Sequence, residues 1–238
     1  MKKFVFIVLL LFFIPSAISW NWNTHQNIAE KIYYSLPFEE QNNLNLSLIK
    51  EGSIAPDKDF HDNVLHHYPP SLNKSLYWLN LTLIYIQNKD YEKASYSFGV
   101  LTHYVDDSFV APHYISKEDP KLHSEFEKQV SNYNLKAKCQ REDYDLNQSL
   151  YIASLNRKDW EPWLLTKNRD IPQQELEDAT KLLYSITLGI FNATCAEPTK
   201  FTKQKFFMGK KIIIISIIIL ILIAILIYSI FKDKEKDL

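Results

Sequence analysis

Apolar residues recur every three to four positions through most of residues 20–198, and this spacing places them on one face of an α-helix. The chain has only four glycines, and most of its prolines fall between the periodic stretches. The pattern therefore predicts an all-α domain and argues against a turn-rich sheet. The predicted helices span about Thr24–Ser35, Glu39–Lys50, Asn73–Gln87, Tyr91–Val105, Lys121–Lys138, Leu146–Leu155 and Gln173–Ala193.

The amino terminus has a different pattern. Two lysines precede an unbroken apolar run at Phe4–Ile14, and the small residues Ala17 and Ser19 follow it. A basic start, an apolar stretch and small residues at the cleavage positions are typical of a secretory signal peptide. We predict that residues 1–19 are removed and that Trp20 becomes the new amino terminus.

A second apolar segment lies at residues 212–231, where three polar residues interrupt an otherwise apolar run. A helix of this length spans roughly 30 Å, the thickness of a bilayer's hydrocarbon core. We predict a transmembrane helix, with a basic juxtamembrane segment at 199–211 before it and a cytoplasmic tail at 232–238 after it. With an exported amino terminus, this predicts a single-pass protein of the cell membrane whose domain at 20–198 is extracellular. The flanking lysines do not decide the orientation, since five precede the helix and three follow it.

Composition limits the classes of ligand that the protein can bind and indicates the redox state of its cysteines. The formal net charge of −1 argues against duplex nucleic acid as a ligand, although the many aromatic residues leave single-strand binding by stacking open. No obligate protein partner is evident. The two cysteines, Cys139 and Cys195, lie in the exported part, where disulfides persist, so we expect them to be paired. The alternative is two separate buried thiols.

The most informative chemistry is a set of potential metal ligands within 25 residues. Two pairs are spaced four apart, and residues four apart share one face of a helix, so each pair can face a common point. Mixed imidazole and carboxylate ligands suit a divalent cation, zinc first, and five ligands exceed what one tetrahedral ion needs. The sequence therefore predicts a site for several metals. Its residues are His103, Asp107, His113, His123 and Glu127.

Earlier residues extend this set. Cleavage after Ser19 would give Trp20 a free amine beside its own carbonyl, which together can chelate a metal, and His25 follows five residues later. An Asp in a short acidic segment, at Asp57, and a His followed by aromatics, at His66, come next. In this order the chain resembles the zinc-dependent phospholipase C family, which is related in fold to the fungal single-strand-specific zinc nucleases.

The resemblance implies a single globular helical domain that binds three zinc ions. In the implied arrangement one zinc is held by Trp20 and His25, and Asp107 bridges it to a second zinc. The second zinc is completed by Asp57, His66 and His103, and the third is held by His113, His123 and Glu127. His67 is an alternative to His66, and Asp59 is an alternative to Asp57. Asp106 is expected to face solvent or to support a ligand from behind.

The implied activity is zinc-dependent phosphodiester hydrolysis of the phospholipase C type, in which a metal-activated water attacks phosphorus and Asp57 serves as ligand and general base. Glu127 favours the phospholipase branch, since the nucleases compared carry Asp there. The expected substrate is a phospholipid or another phosphodiester. The alternatives are an extracellular single-strand nuclease, which alone would bind nucleic acid, and a non-catalytic zinc-stabilised ectodomain. Several aromatic residues near the ligands either bind substrate or pack the fold: Phe60, Tyr68, Tyr104, Phe109 and Tyr114.

Overall fold

Helices supply the regular structure of residues 20–62 and 64–196, the part of the chain that the computed structural model describes. These residues contain no β-strand, which confirms the prediction of an all-α domain. The α-helices are α1 (Trp20–Ser35), α2 (Phe38–Asn43), α3 (Leu46–Gly52), α4 (Ala55–Lys58), α5 (Pro70–Gln87), α6 (Tyr91–Asp107), α7 (Pro120–Lys128), α8 (Leu146–Ser154), α9 (Trp160–Thr166) and α10 (Asp170–Ile190). The 3₁₀ helices are η1 (Ala111–Tyr114) and η2 (Leu155–Asp159).

Helix α6 is the central element of the fold. Every residue from Phe98 to Asp107 on this helix is buried, and the helix contacts α1, α3, α4, α5 and α10. Its apolar residues pack with Ile28 and Ile32 of α1 and with Leu183 of α10 in the main hydrophobic core. Burial of each such side chain stabilises the fold by about 1.5–3 kcal/mol. The carboxyl-terminal end of α6 is therefore held by the core on several sides.

Two glycines allow α3 and α6 to pack unusually closely. A Cβ atom at Gly99 would overlap the carbonyl oxygen of Ile49, and a Cβ atom at Gly52 would overlap the carbonyl oxygen of Tyr96. Since glycine carries no Cβ, the two backbones can come into contact here. This approach brings the residue that follows α3, Ser53, against α6.

A smaller core cluster supports the other side of the domain. It consists of Ala111 at the start of η1, Phe126 of α7, and Trp160 and Trp163 of α9. The two tryptophan rings stack with their centroids 5.0 Å apart, and Phe126 packs against both. This cluster holds α7 and η1 against the rest of the fold.

Two of the predicted helices are wrong in extent. The helix predicted at Glu39–Lys50 is two helices, because the side chain of Asn45 accepts hydrogen bonds from the backbone N–H groups of Ser47 and Leu48 and so begins α3. The helix predicted at Lys121–Lys138 ends at Lys128.

The segment after α7 is held without a helix. The buried carboxylate of Glu177 on α10 accepts hydrogen bonds from the backbone N–H groups of Lys136 and Ala137. These bonds satisfy backbone donors that a helix would otherwise pair. Cys139 and Cys195 form a disulfide with their Cα atoms 5.8 Å apart, which confirms the predicted pairing.

The predicted targeting and membrane segments fall outside the described residues. Within residues 20–62 and 64–196, none of the helices combines the length and the apolar character needed to span a bilayer. The signal peptide predicted at 1–19, the juxtamembrane segment at 199–211, the transmembrane helix at 212–231 and the tail at 232–238 lie beyond this part of the chain.

Candidate metal centre

The structure brings the eight predicted side-chain ligands together. In the part of the chain that is described, they form three neighbouring groups of histidines and carboxylates, and within each group one potential ligand atom per residue lies within 4.8 Å of the others. We name the groups by one member each. The Asp57 group contains Asp57, His66, His103 and Asp107, the His25 group contains His25, Asp106 and Asp107, and the His123 group contains His113, His123 and Glu127.

His103 shows how the fold prepares a ligand of the Asp57 group. Its Nδ1–H donates a hydrogen bond of 2.8 Å to the carbonyl oxygen of Ser53, which the close packing of α3 and α6 places there. This bond leaves Nε2 as the atom that faces Asp107 Oδ2 at 3.3 Å and Asp57 Oδ1 at 3.6 Å. His103 Nε2 is buried and has no hydrogen-bond partner among the described residues. A nitrogen lone pair directed at carboxylates needs a cation between them, either a proton or a metal ion.

Asp107 belongs to two groups because its two oxygens face different histidines. Oδ1 lies 3.4 Å from Nε2 of His25, while Oδ2 lies 2.9 Å from Nδ1 of His66. The carboxylate is almost completely buried at the end of α6. This arrangement is suited to a ligand that bridges two ions.

Asp106 supports His25 from the other side of the ring. Its Oδ1 lies 2.9 Å from His25 Nδ1, so the Nε2 atom of His25 is left to face Asp107. Asp106 is only 3% exposed, so of the two positions expected for it, facing solvent or behind a ligand, the structure has the second. A carboxylate behind a histidine fixes the ring and raises its basicity as a ligand. Residues 1–19 and the side chain of Trp20 lie outside the described structure, so the amino-terminal ligand stays a prediction.

In the His123 group both histidines are held through Nδ1. His113, on η1, donates a hydrogen bond of 3.0 Å to the backbone carbonyl of Asp107, and its Nε2 lies 3.6 Å from Glu127 Oε1. Nδ1 of His123 lies 2.5 Å from Oε1 of Glu118, and its Nε2 lies 2.8 Å from Glu127 Oε1. Glu118 is not among the residues predicted from the sequence. Its five-residue separation from His123 is not a helical period, and it lies just before α7 begins.

The side chains of the three groups place several buried carboxylates beside the histidines, and this favours positive charge at the centre. Burial alone would lower the pKa of His25, but the carboxylates of Asp106 and Asp107 outweigh burial and raise it to about 10. Burial is likewise outweighed at His123, whose hydrogen bonds to Glu118 and Glu127 raise its pKa to about 10. At Asp107 burial acts to raise the pKa, yet the neighbouring histidines hold it well below the usual carboxyl range. The carboxylates thus keep protons on the histidines that metal ions would displace.

The structure also distinguishes between the alternatives left by the sequence. His66 lies in the Asp57 group, whereas His67 is half-buried outside it and packs its ring against Tyr114. Asp57 lies in the same group, and Asp59 is exposed at the end of α4. The geometry therefore favours His66 and Asp57 as ligands.

The aromatic residues near the ligands divide into two classes. Tyr104 and Phe109 are buried, and the hydroxyl of Tyr104 donates a hydrogen bond of 2.7 Å to Asp62. Tyr114 donates a hydrogen bond of 2.6 Å to the carbonyl of Ser108 and is half-buried. Phe60 is exposed and stacks on Trp78, and Tyr68 is half-buried. Of these five residues, Phe60 is therefore the most accessible to a ligand.

Comparison with known families agrees with this geometry. The family model for zinc-dependent phospholipase C matches residues 24–179, a range that includes all eight side-chain ligands. The chain belongs to the zinc-dependent phospholipase C family. No curated protein matches it. The donor set fits what a zinc-dependent phospholipase C requires, because imidazole nitrogens and carboxylate oxygens are ordinary zinc ligands and because the buried Nε2 of His103 lacks any other partner in the described structure.

Proposed function

We propose that the protein is a membrane-anchored, extracellular phospholipase C that cleaves a phosphodiester bond at a centre of three zinc ions. The observation that carries the proposal is Asp107, whose two buried oxygens face histidines of two adjacent groups. Family membership supports a phosphodiester hydrolase of this kind. The signal peptide predicted from the sequence at 1–19 and the transmembrane helix predicted at 212–231 support a location at the cell membrane.

Each proposed ion has its own ligands in this chain. The His25 group would hold one zinc together with the amine and carbonyl of Trp20, with Asp107 as the bridge to the Asp57 group. The His123 group would hold the third. Bound zinc polarises phosphoryl oxygens and lowers the pKa of a bound water toward ~7. The hydrogen bonds that His103 and His113 donate through Nδ1 leave their Nε2 atoms free to bind an ion.

Asp57 is the residue we assign as proton acceptor. Its side chain is 20% exposed, whereas that of Asp107 is only 5% exposed, so Asp57 can pass a proton to solvent. A water molecule would attack phosphorus and transfer its proton to Asp57. The P–O bond to the diglyceride would then break, the diglyceride oxygen would take up a proton from solvent water, and the products would be a diacylglycerol and a phosphorylated alcohol.

Phospholipid is the proposed substrate because a domain tethered to the outer face of a membrane has phosphodiester headgroups within reach. We propose that the exposed ring of Phe60, three residues after Asp57 in the chain, contacts the bound lipid. Glu127 also favours a phospholipid substrate, because the related nucleases compared carry Asp at this position of the motif.

The test uses the full-length, processed protein in mixed micelles of detergent and phosphatidylcholine, and separately with single-stranded DNA, each with and without a zinc chelator. We expect chelator-sensitive release of phosphocholine that returns when zinc is added. Hydrolysis of DNA and not of lipid would favour the nuclease alternative. Zinc binding without hydrolysis of either would favour the zinc-stabilised ectodomain.

A pair of variants on α7 sharpens this test. Glu127→Gln removes a buried carboxylate of the His123 group, and Glu125→Gln removes an exposed carboxylate from the same helix. We expect loss of one zinc and a drop in activity only for Glu127→Gln. Equal effects of the two substitutions would contradict the assignment of Glu127 as a ligand.

A further inference from the structure

A cavity of about 40 Å³ borders the His25 group. Its walls include His25, Asp106 and Asp107, and α10 contributes Glu175. Most of the other lining residues are apolar, among them Ile28. Because one water needs roughly 10–15 Å³ of such space, the cavity has room for about three water molecules, each of which needs at least two polar partners.

Several buried polar atoms of the residues that line this cavity have no hydrogen-bond partner within the described structure. They are Thr24 Oγ1, Oδ2 of Asp106, whose other oxygen lies 2.9 Å from His25 Nδ1, and Oε1 of Glu175. Buried polar atoms are almost always paired, with protein or with ordered water. Unpaired atoms around a space of this size therefore indicate water.

Glu175 is connected to the metal centre on a second side. Its Oε2 accepts a hydrogen bond of 3.1 Å from the backbone N–H of Ala111, the first residue of η1, and η1 carries His113. The Glu175 side chain is buried, and burial raises its pKa well above the usual carboxyl range. A neutral carboxyl group can both donate and accept hydrogen bonds, which allows it to donate to water beside the charged carboxylates.

We propose that Glu175 is a positioning residue for the metal centre. Through ordered water in the cavity it holds Asp106, which in turn fixes the ring of His25, and through Ala111 it holds η1 and His113. The role of Glu175 rests on the proposed zinc centre, since its purpose is to orient ligands of two groups. Glu175 itself touches neither an ion nor the substrate.

A crystal structure of the zinc-loaded protein tests the water directly. We expect ordered water bonded to Glu175 Oε1 and to an Asp106 oxygen. A dry cavity, or a Glu175 side chain that pairs with a protein group in place of water, would overturn the proposal.

Substitutions at Glu175 test its effect on zinc affinity, measured by chelator competition and metal analysis on the full-length protein. Glu175→Leu removes both sets of hydrogen bonds and should weaken the most weakly bound zinc by about 10–100-fold. Glu175→Gln can still donate to and accept from water and should restore affinity close to that of the wild type. Wild-type affinity in Glu175→Leu, or an equal loss in Glu175→Gln, would contradict the positioning role.

Two controls separate positioning from loss of fold. Glu177→Leu removes a buried carboxylate from the same helix that binds Lys136 and Ala137 and lies away from the cavity, so it should lower stability without changing zinc affinity. Thr24→Val removes another cavity hydroxyl without touching Ala111 and should weaken zinc binding in the same direction as Glu175→Leu, even if Glu175→Leu fails to fold. Unchanged zinc affinity in Thr24→Val would count against the water. If the wild-type protein bound no zinc, the proposed function would fail. If wild type bound zinc and Glu175→Leu matched it, only the role of Glu175 would fail.

Discussion

Asp107→Asn removes the carboxylate that joins the His25 and Asp57 groups while keeping the shape of the side chain. Its oxygens lie 3.4 Å from His25 Nε2 and 3.3 Å from His103 Nε2, and when both histidines carry protons each charge pair is worth about 5 kcal/mol at an effective dielectric constant of about 20. Relief of the carboxylate's desolvation offsets part of this, so we expect a net loss of about 3–5 kcal/mol of unfolding free energy.

That loss is measurable in two ways. For a domain of this size it should lower the Tm of the metal-free protein by roughly 6–20 °C. The pKa of Asp107 is held well below the usual carboxyl range, so the stabilisation is present above the ordinary carboxyl pKa and disappears as the pH falls through the lowered value. The difference between variant and wild type should therefore shrink in acid.

Metal analysis gives the functional result. Asp107→Asn should reduce bound zinc from about three ions to about one, because a single change disrupts two of the sites, whereas Glu127→Gln should leave about two. Calorimetry and plasma emission measurements on the same samples give both numbers. If Asp107→Asn kept all its zinc, or lost no more than Glu127→Gln does, Asp107 would not be a bridging ligand.

Three further predictions concern processing, the disulfide and pH. One extra residue before Trp20 should block the amino-terminal ligand and lower bound zinc from about three ions toward two, and full zinc with full activity would rule that ligand out. Replacing Cys139 and Cys195 with serine opens a loop of 56 residues and should cost about 4 kcal/mol in urea unfolding; a loss below about 1 kcal/mol would contradict this. Zinc should displace protons from His25 and His123, so its affinity should rise with pH, and calorimetry in buffers of different ionisation enthalpy should detect the release. The raised pKa values stabilise the metal-free fold fully below pH 6.5, and this contribution is lost as the pH rises toward about 10. A Tm of the metal-free protein that rises over that interval would contradict the assignment.

The ligands that follow a helical period could be predicted from the sequence. His103 and Asp107 are four apart on α6, and His123 and Glu127 are four apart on α7, so local geometry alone brings each pair to one face. The order of residues along the chain added His25, Asp57 and His66 through the family resemblance.

The residues that orient those ligands could not be predicted in the same way. The carbonyl of Ser53 reaches His103 only because Gly52 and Gly99 let two helices touch, which is a property of tertiary packing. Glu118 is five residues from His123, which is no helical period, and the sequence named Asp106 as a possible support without indicating that its partner is His25. A backbone carbonyl in particular is present in every residue, so the residue type does not show which carbonyl will bind a histidine.

The predicted boundaries of two helices were wrong for a related reason. Asn45 falls at a surface position of the helical pattern, so the pattern runs through it without a break. Its side chain, however, caps the amino-terminal end of a new helix. The residues after Lys128 have helical periodicity, but Glu177, about forty positions away in the chain, binds their backbone in an irregular path. Short helices such as α4 and α9 span too few turns for a period to be visible.

The point where the chain leaves the described domain has a mechanical consequence. Cys195 is bonded to Cys139, and the backbone N–H of Ala196 donates to the carbonyl of Ser35 at the end of α1. Under the proposed anchoring, a pull from the membrane would enter the domain through a covalent bond and through α1, without first unwinding α10. We expect single-molecule pulling from the carboxyl end to require more force for the oxidised domain than for the reduced one. Because α1 also carries His25, force applied through the membrane anchor would be transmitted to the metal centre.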